Sequence, residues 1–274
     1  MTQSNEASWS DGIARRFRRR FADGVWRQEA VEVVVEFPLT LFVNGQEFVT
    51  AVITPTDVRE WVLGFLASEG LIQTPSDLTV FQYRPAEGQV WVRIPSLGPN
   101  GLARFGRRAL GSCCGQGRSA LHLASDAEIA RPLHHAIGPS LQPAMVIPLF
   151  EKLSGWSRTQ HTGGLHAAAL CLDGGLSVLR ADVGRHNALD KIHGHCLEKP
   201  LPTERGLILF SGRLSSEIVV KIAKIGCPVV VSNAAPTSLG LDVADSLGIT
   251  AIGFARDGEF SVYTHPHRLG QAWA

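Results

Sequence analysis

Two patterns of apolar and polar residues occur along the chain, and each predicts a different architecture. Between residues 31 and 53, runs of β-branched residues flank Asn44-Gly45, a dipeptide that readily adopts the positive φ angles of a tight hairpin turn. Residues 54–70 then place apolar side chains at helical spacing behind Thr54, which we predict to cap this helix. Two short strand patterns follow it. The first pattern therefore predicts a small N-terminal α+β domain.

The second pattern covers the C-terminal half, where apolar strands alternate with amphipathic helices of about a dozen residues. Such alternation predicts right-handed crossover connections and a mostly parallel sheet that is covered on both faces. We therefore expect an α/β protein with three segments: a flexible basic tail at residues 1–30, an N-terminal α+β domain at residues 31–135, and a C-terminal α/β domain at residues 136–274.

The predicted tail contains the sequence RRFRRRF, which is unusually rich in arginine. Its arginines are Arg15, Arg16, Arg18, Arg19 and Arg20. A block of this kind could be a nucleic-acid-binding tail, a twin-arginine export signal or a flexible end. No apolar segment follows it, which argues against export. We predict a solvated, disordered tail.

Composition narrows the function classes. The chain has 274 residues, of which 45% are hydrophobic and 19% charged, and its formal net charge is +1. These values describe a soluble globular protein and give no electrostatic indication of nucleic-acid binding. The absence of an apolar run of about 20 residues argues against a membrane span. Five cysteines at irregular spacing favour free thiols in a reducing cytoplasm.

The sequence RALGSCCGQGRSA places Cys113 and Cys114 side by side among glycines and arginines. Adjacent cysteines form only strained disulfides, and the glycines indicate a mobile loop. Arginines near a thiol lower its pKa and so favour the reactive thiolate. Cys113 and Cys114 are therefore candidate catalytic residues. The alternative is that both are small buried side chains beside a turn.

Three turns between a predicted strand and a helix carry polar residues: DVGRHNALDK, FSGRLSSE and VSNAAPTS. In sheets with crossover connections, ligands bind outside the carboxyl ends of the strands. Backbone N–H groups, hydroxyls and guanidinium groups there suit a nucleotide phosphate. The alternative is that the hydroxyl groups only cap helices. The candidate binding residues are Arg185, His186, Asn187, Ser211, Arg213, Ser232 and Thr237.

Histidines raise the question of a metal site. Candidates in this part of the chain are His161, His166, His186, His193 and His195. The chain lacks the C-x-x-C spacing of structural zinc sites and the H-x-E with P-C-x-x-C signature of zinc deaminases. We therefore predict that the protein ligates no metal.

Several long blocks in fixed order resemble the formate dehydrogenase accessory sulfurtransferase (FdhD) family. They include TPTDVREWVLGFLASEGLI, TGGLHAAAL, DVGRHNALDKIHG and SGRLSSEIVVKIAKIGCPVVVSNAAPTSLGLDVADSLGIT. The resemblance spans about Pro38 to Arg268. It implies a cytoplasmic sulfurtransferase that takes sulfur from a cysteine desulfurase and holds it as a cysteine persulfide. The acceptor would be the bis-molybdopterin guanine dinucleotide cofactor, before that cofactor enters formate dehydrogenase.

The resemblance also implies a C-terminal domain similar to the cytidine deaminase fold, without its zinc, and a homodimer. From charge and hydropathy we predict no nucleic-acid or membrane partner. The crevice would bind a guanine nucleotide of the cofactor, with GDP as a mimic, and the segment FARDGE matches a cofactor-contact region of the family. The resemblance thus adds these candidate binding residues: Gly212, Phe254, Ala255, Arg256, Asp257, Gly258 and Glu259.

The cysteine loop departs from the family pattern S-C-G-x-C-G. In SCCGQG, Cys114 stands where the family has glycine, and Gln116 stands where it has the second cysteine. Three alternatives follow: Cys114 replaces the missing partner, Cys113 acts alone, or the protein has lost transfer activity. In the last case it would be a non-catalytic carrier or chaperone of the molybdenum cofactor.

Overall fold

The computed structural model describes residues 12–98, 101–102, 108–110, 130, 132–139, 141–159 and 163–270. The predicted catalytic residues Cys113 and Cys114 lie outside these ranges. His161 lies outside them too.

A two-stranded antiparallel sheet of β1 (Ile13–Ala22) and β2 (Val25–Val34) begins the described chain. It corrects the prediction of a flexible tail over residues 1–30, since strand structure begins at Ile13. Asp23-Gly24 makes the turn, with φ angles of 53° and 77°. A short polar residue followed by glycine adopts these angles at little cost, which explains the hairpin.

A five-stranded sheet packs on one helix in the N-terminal part. Its strands, in the spatial order β5-β6-β3-β4-β7, are β3 (Phe37–Val43), β4 (Gln46–Ile53), β5 (Val80–Arg84), β6 (Gln89–Arg93) and β7 (Arg108–Leu110). The predicted turn is confirmed, because Asn44 and Gly45 have φ angles of 51° and 83° between β3 and β4. Leu39, Leu41 and their neighbours form the core beneath helix α1 (Val58–Ser68).

Thr54 does not cap α1, contrary to the prediction. The helix begins at Val58, and its N-cap residue is Asp57. Thr54 is instead buried against the C-terminal part: its backbone N–H donates to Asp182 Oδ2 over 3.0 Å, and its hydroxyl accepts from the Val183 N–H, also over 3.0 Å. The hydroxyl therefore bridges two sheets rather than starting a helix.

A six-stranded sheet forms the C-terminal part, in the spatial order β13-β12-β11-β10-β8-β9. Its strands are β8 (His166–Leu172), β9 (Gly175–Asp182), β10 (Leu207–Phe210), β11 (Val229–Ser232), β12 (Thr250–Arg256) and β13 (Glu259–Val262). Only the β10/β11 and β11/β12 pairs are parallel. The prediction of a mostly parallel sheet is wrong. Tight Asp-Gly turns, Asp173-Gly174 and Asp257-Gly258, add antiparallel hairpins at both edges, and β8 also pairs antiparallel with β10.

Helices cover both faces of this sheet, as predicted. They are α2 (Pro143–Thr159), α3 (Arg185–Glu198), α4 (Ser216–Ile225) and α5 (Ser238–Ser246). Because side chains alternate along a strand, Ile208 and Phe210 join the core with α3, α4 and α5. Leu207 and Leu209 join a second core with α2. Short 3₁₀ helices occupy Pro75–Asp77, Pro85–Glu87, Thr203–Arg205 and Pro266–Leu269.

Helices α1 and α3 cross where both have glycine, and this crossing joins the two parts of the molecule. A Cβ atom built on Gly64 would lie 1.8 Å from the Asp190 carbonyl oxygen, and one built on Gly194 would lie 1.8 Å from the Glu60 carbonyl oxygen. Such distances are far inside van der Waals contact. The backbones approach so closely only because neither crossing residue has a side chain.

Candidate functional site

Polar residues lie together at one end of the six-stranded sheet, where three strands end and the antiparallel strand β8 begins. We call this end the edge of the site. The parallel strands β10 and β11 end there at Phe210 and Ser232, and β9 ends there at Asp182. Strand β8 runs the opposite way, so His166 at its start is the register partner of Asp182. This edge is the predicted crevice outside the carboxyl ends of the strands.

Hydrogen bonds tie the loops after β10 and β11 together. The fully buried Ser232 hydroxyl donates to the Gly212 carbonyl over 2.7 Å and accepts from the Ala234 N–H over 3.0 Å. The Ser211 hydroxyl accepts from the Ala167 N–H over 2.8 Å. Ser211 and Ser232 therefore fix the shape of the loops, whatever further contact they make.

Thr237 occupies the N-cap position of α5, and its hydroxyl accepts from the Gly240 N–H over 3.1 Å. The capping interpretation considered for this residue is therefore observed. Whether the same hydroxyl also contacts a ligand stays a prediction.

Two arginines border the loop after β10. The Arg185 Cδ atom lies 3.5 Å from where a Cβ on Gly212 would stand, so the Arg185 side chain covers this glycine. Arg213 is exposed on the same loop. Guanidinium groups at this edge create a positive potential that favours an anion.

Two histidines lie beside these arginines. His186 Nε2 is 3.2 Å from Glu217 Oε2. Burial lowers the pKa of His166, and the charges of Arg185 and His186 lower it further, against an opposing effect of Asp182. The imidazole of His166 is thus favoured in its neutral form, in which one ring nitrogen can accept a hydrogen bond.

Two further polar atoms at this edge lie in the predicted polar turns, although their residues are not among the candidate binding residues. The Ser215 hydroxyl and Asn233 Oδ1 are buried without a hydrogen-bond partner among the described atoms. Both residues directly follow the hydrogen-bonded loop positions after β10 and β11. Only their place after a strand could have indicated them, and helix capping is the commoner role of such residues.

Phe254 lies where β12 passes the loop after β11, and its backbone is strained. Its φ angle is 54°, which is rare for an aromatic residue, and its N–H donates to the Ala234 carbonyl over 3.3 Å. A register irregularity between Gly253 and Arg256 accompanies this conformation. Strained residues cluster at functional sites, so this conformation supports the prediction that Phe254 belongs to the crevice.

The rest of the predicted FARDGE segment is spread over different surroundings. Ala255 is buried in the core, and Asp257-Gly258 makes the turn between β12 and β13. Arg256 and Glu259 are exposed, and the Arg256 guanidinium carbon lies 5.9 Å from the Phe254 ring centre. Of this segment, only Phe254 is tied directly to the loop after β11 in the contacts described.

Asn187 belongs to the contact between the two parts of the molecule. Its amide nitrogen donates to the Val52 carbonyl and to Asp182 Oδ1, both over 2.9 Å. Its amide oxygen accepts from Trp61 Nε1 over 3.1 Å. The protein itself thus uses both donors of this buried amide.

Lys191 and His195 of α3 also face this contact. Lys191 is completely buried and pairs with Asp182 over 2.7 Å, while its ammonium group also donates to the Thr54 and Ala181 carbonyls. His195 Nδ1 lies 2.8 Å from Glu60 Oε1, and Arg180 Nη2 donates to the same oxygen over 2.7 Å. These charged groups satisfy one another within the protein.

His193 is buried on the same helix, with its Nδ1 atom 3.3 Å from the Ser68 hydroxyl. Burial, together with the charges of Lys221 and Lys224, lowers its pKa from 6.5 to about 3. Within the described ranges, no group of three or more His, Cys, Asp or Glu residues is arranged to hold a metal ion.

The three described cysteines are poor nucleophiles. Burial raises the pKa of Cys171 to about 11 and that of Cys196 to about 12, and it raises the pKa of the fully buried Cys227 well above its usual value. A thiol must lose its proton to attack sulfur, so these three are unsuited to group transfer near neutral pH.

In the part of the chain that the structure describes, no helix combines the length and apolar character needed to cross a membrane.

Comparison with known proteins identifies the family to which the chain belongs. The model of the FdhD/NarQ family matches residues 34–270, and the chain belongs to this family. A curated relative, sulfur carrier protein FdhD of Bacillus subtilis (strain 168), is 44% identical over 253 residues, covering 89% of this chain and 95% of the relative.

A second curated relative and a solved structure are also similar to this chain over most of its length. Sulfur carrier protein FdhD of Geobacillus kaustophilus (strain HTA426) is 41% identical and covers 93% of this chain and 96% of its own. A solved structure of a formate dehydrogenase accessory protein from Desulfotalea psychrophila is 24% identical and has a TM-score of 0.73. It covers 94% of this chain and 99% of its own. This structure supports the fold.

Proposed function

We propose that the protein is a sulfurtransferase, which receives sulfur from a cysteine desulfurase and passes it to the bis-molybdopterin guanine dinucleotide cofactor needed for formate dehydrogenase activity. The observation that carries this proposal is the 44% identity to a sulfur carrier protein along nearly its whole length. The state of the thiols supports it, because the three described cysteines are buried with raised pKa values. Transfer chemistry therefore falls to Cys113 and Cys114.

The loading step is a thiol exchange. The Cys113 thiolate attacks the outer sulfur of the donor persulfide, the donor S–S bond breaks, and the donor cysteine leaves as a thiolate. Cys113 keeps the sulfur as a persulfide, so no oxidant or reductant is consumed. Arg107, Arg108 and Arg118 are close in sequence and supply the positive charge that favours the thiolate.

The loading step is tested by intact mass after incubation with a cysteine desulfurase and cysteine. We expect an adduct of one sulfur atom on the wild-type chain and none on Cys113→Ala. Cys196→Ala is the matched control and should load normally. An adduct that persists in Cys113→Ala would contradict the assignment.

For the cargo, we propose that a guanine nucleotide of the cofactor binds the crevice, with its phosphates near Arg185 and Arg213. The two guanidinium groups and the strained Phe254 support this placement. A fold of cytidine deaminase type for this domain, and a homodimer, belong to the same proposal. The mixed sheet with helices on both faces is consistent with the first.

Titration calorimetry with GDP tests the crevice. Arg213→Ala should weaken binding about tenfold, in line with a lost charge-assisted contact of about 1.5 kcal/mol. Arg205→Ala is the matched control, because Arg205 is also exposed but precedes β10 at the opposite edge of the sheet. Equal affinity in both variants would remove Arg213 from the site.

The rival function is a carrier that shelters the cofactor without chemistry, and Gln116 at the position of the second family cysteine favours it. A pure carrier should still activate formate dehydrogenase when Cys113 and Cys114 are both alanine. Loss of activation in that double variant, with GDP affinity unchanged, would exclude it.

A further inference from the structure

The β1–β2 hairpin has an exposed surface that lies outside all three hydrophobic cores. Arg15 through Phe21 are all exposed, and Phe17, Phe21 and Trp26 leave 75%, 59% and 69% of their surface in contact with water. Isolated two-stranded ribbons are marginally stable in water. Large aromatic side chains at such exposure mark an interaction surface rather than a surface built for solvent alone.

The two faces of the hairpin differ in chemistry. Side chains alternate along a strand, so Phe17 and Phe21 share one face with Trp26, the register partner of Phe21. Arg15 and Arg19 lie on this face as well, so it combines aromatic rings with positive charge. The Phe21 and Trp26 rings lie 5.2 Å apart, centre to centre. This is the aromatic face.

The opposite face of the two strands is cationic and carries no aromatic side chain. It carries Arg16, Arg18, Arg20 and Arg27, and Arg20 and Arg27 are direct register partners. Like charges placed opposite each other destabilise a strand pair. Arg18 pairs with Glu29 over 2.8 Å, whereas no carboxylate lies within ion-pair distance of Arg20 or Arg27 among the described residues. An external anion would remove this repulsion.

The stem of the hairpin lies beside the crevice. Val35 donates its N–H to the Gly12 carbonyl over 2.9 Å, and a Cβ built on Gly12 would lie 2.5 Å from Thr54 Cγ2. Thr54 contacts Val183, two residues before Arg185 in the crevice. A partner held by the hairpin would therefore be anchored close to the candidate site.

We propose that the β1–β2 hairpin is a docking arm for a partner protein with an acidic surface and an apolar pocket. Arginine and aromatic side chains are the residues enriched at the energetic centres of protein interfaces. Asp23, Glu29 and Glu32 on the same hairpin disfavour a phosphodiester backbone. The cationic face disfavours pairing with a second copy of the hairpin, because arginines of one copy would face arginines of the other. The proposal rests on the proposed function, whose protein partners are the sulfur donor and the client enzyme.

Biolayer interferometry with the full chain and each of two purified proteins, a cysteine desulfurase and formate dehydrogenase apoenzyme, tests the arm. The charge variant combines Arg16→Gln, Arg20→Gln and Arg27→Gln, and the aromatic variant combines Phe17→Thr, Phe21→Thr and Trp26→Thr. We expect each to weaken binding of at least one partner tenfold or more. The salt dependence should shrink in the charge variant.

The matched control removes the same charge elsewhere, through Arg93→Gln, Lys199→Gln and Arg205→Gln, all at exposed positions. It should bind as the wild type does. Thermal unfolding of every variant should match the wild type within a few degrees, because the substituted side chains lie outside the cores.

Four results would overturn the proposal. In the first two, the wild type binds neither protein, or the wild type and both hairpin variants bind equally well. In the other two, the hairpin instead binds a mixed-sequence DNA duplex in a charge-dependent way, or a dimer dissociates in either variant. Failure of the proposed function is read separately, from the mass of Cys113 after loading, so the two failures are distinguishable.

Discussion

Helix α3 is polar along its whole length, but its first turn and its later turns have different surroundings. Arg185 and His186 border the crevice at the sheet edge, where the neighbouring Arg213 is exposed. Asn187, Lys191 and His195 are buried beside α1 and satisfied by the protein's own groups. The same type of residue thus borders the candidate crevice at one end of the helix and serves structure along the rest.

This difference has a physical basis in the crossing of α1 and α3. Glycine at the crossing brings the two backbones together, which removes water from the polar groups around it. Groups so buried must find partners inside the protein, since burying them unpaired costs free energy. At the start of α3, Arg185 and His186 are instead only partly buried. Substitutions along the helix should therefore separate stability from binding.

The largest effect is expected for Lys191→Met. The substitution leaves Asp182 buried without its ammonium partner, and we expect the free energy of unfolding to fall by about 3 to 5 kcal/mol. Urea unfolding measures it, with Lys199→Met at the exposed end of α3 as the control. A loss below about 1 kcal/mol would show that Asp182 is adequately held by its other donors.

Gly194→Ala tests the crossing itself. The added methyl group cannot fit 1.8 Å from the Glu60 carbonyl oxygen, so the helices must separate. We expect a loss of about 3 kcal/mol, at the upper end of overpacking effects. Gly98→Ala, where no atom lies within 4 Å of the new Cβ, is the control and should change little. Equal stability of the two variants would contradict the tight crossing.

His193 should make stability depend on pH. Its pKa is about 3 in the folded protein and near 6.5 when unfolded, so below pH 6.5 the unfolded chain binds a proton that the folded chain does not. Its contribution is complete above pH 6.5 and is lost as the pH falls toward 3. We expect His193→Asn to flatten the curve by up to about 1.4 kcal/mol per pH unit in this window. Urea unfolding at pH 7.5, 5.5 and 4.5 measures the slopes, and parallel curves would disprove a buried neutral imidazole.

The sequence predicted most elements of this fold, because periodicity and turn residues are local signals. The N-terminal hairpin was missed, because the arginine block suggested a disordered tail. Yet Asp23-Gly24 forms a hairpin turn of the same kind as Asn44-Gly45. Helix α2 was missed, and it carries Pro148 inside it, a residue that normally argues against a helix.

For the candidate site, the sequence indicated that the polar turns lie together at the strand ends, but it could not show which of their residues are held by the protein's own groups. Asn187 and His186 are adjacent in sequence, yet only tertiary packing decides that one faces Trp61 and the other Glu217. The sequence placed Ser215 and Asn233 in polar turns, but it could not show that their oxygens lack a hydrogen-bond partner, since that is a property of the folded loops.

The smallest effect is expected for Thr237→Ala, and it separates the two interpretations of a predicted binding residue. Loss of the hydrogen bond from the Gly240 N–H should cost about 1 kcal/mol of stability, as for other N-caps. If capping is the whole role of Thr237, GDP affinity measured by calorimetry should stay within twofold of wild type. Arg213→Ala should show the reverse, with stability within about 0.5 kcal/mol of wild type and weaker GDP binding. A Thr237→Ala variant that also loses GDP affinity would contradict a purely capping role for this hydroxyl. Thr237→Ser keeps the hydroxyl and should then restore both stability and affinity.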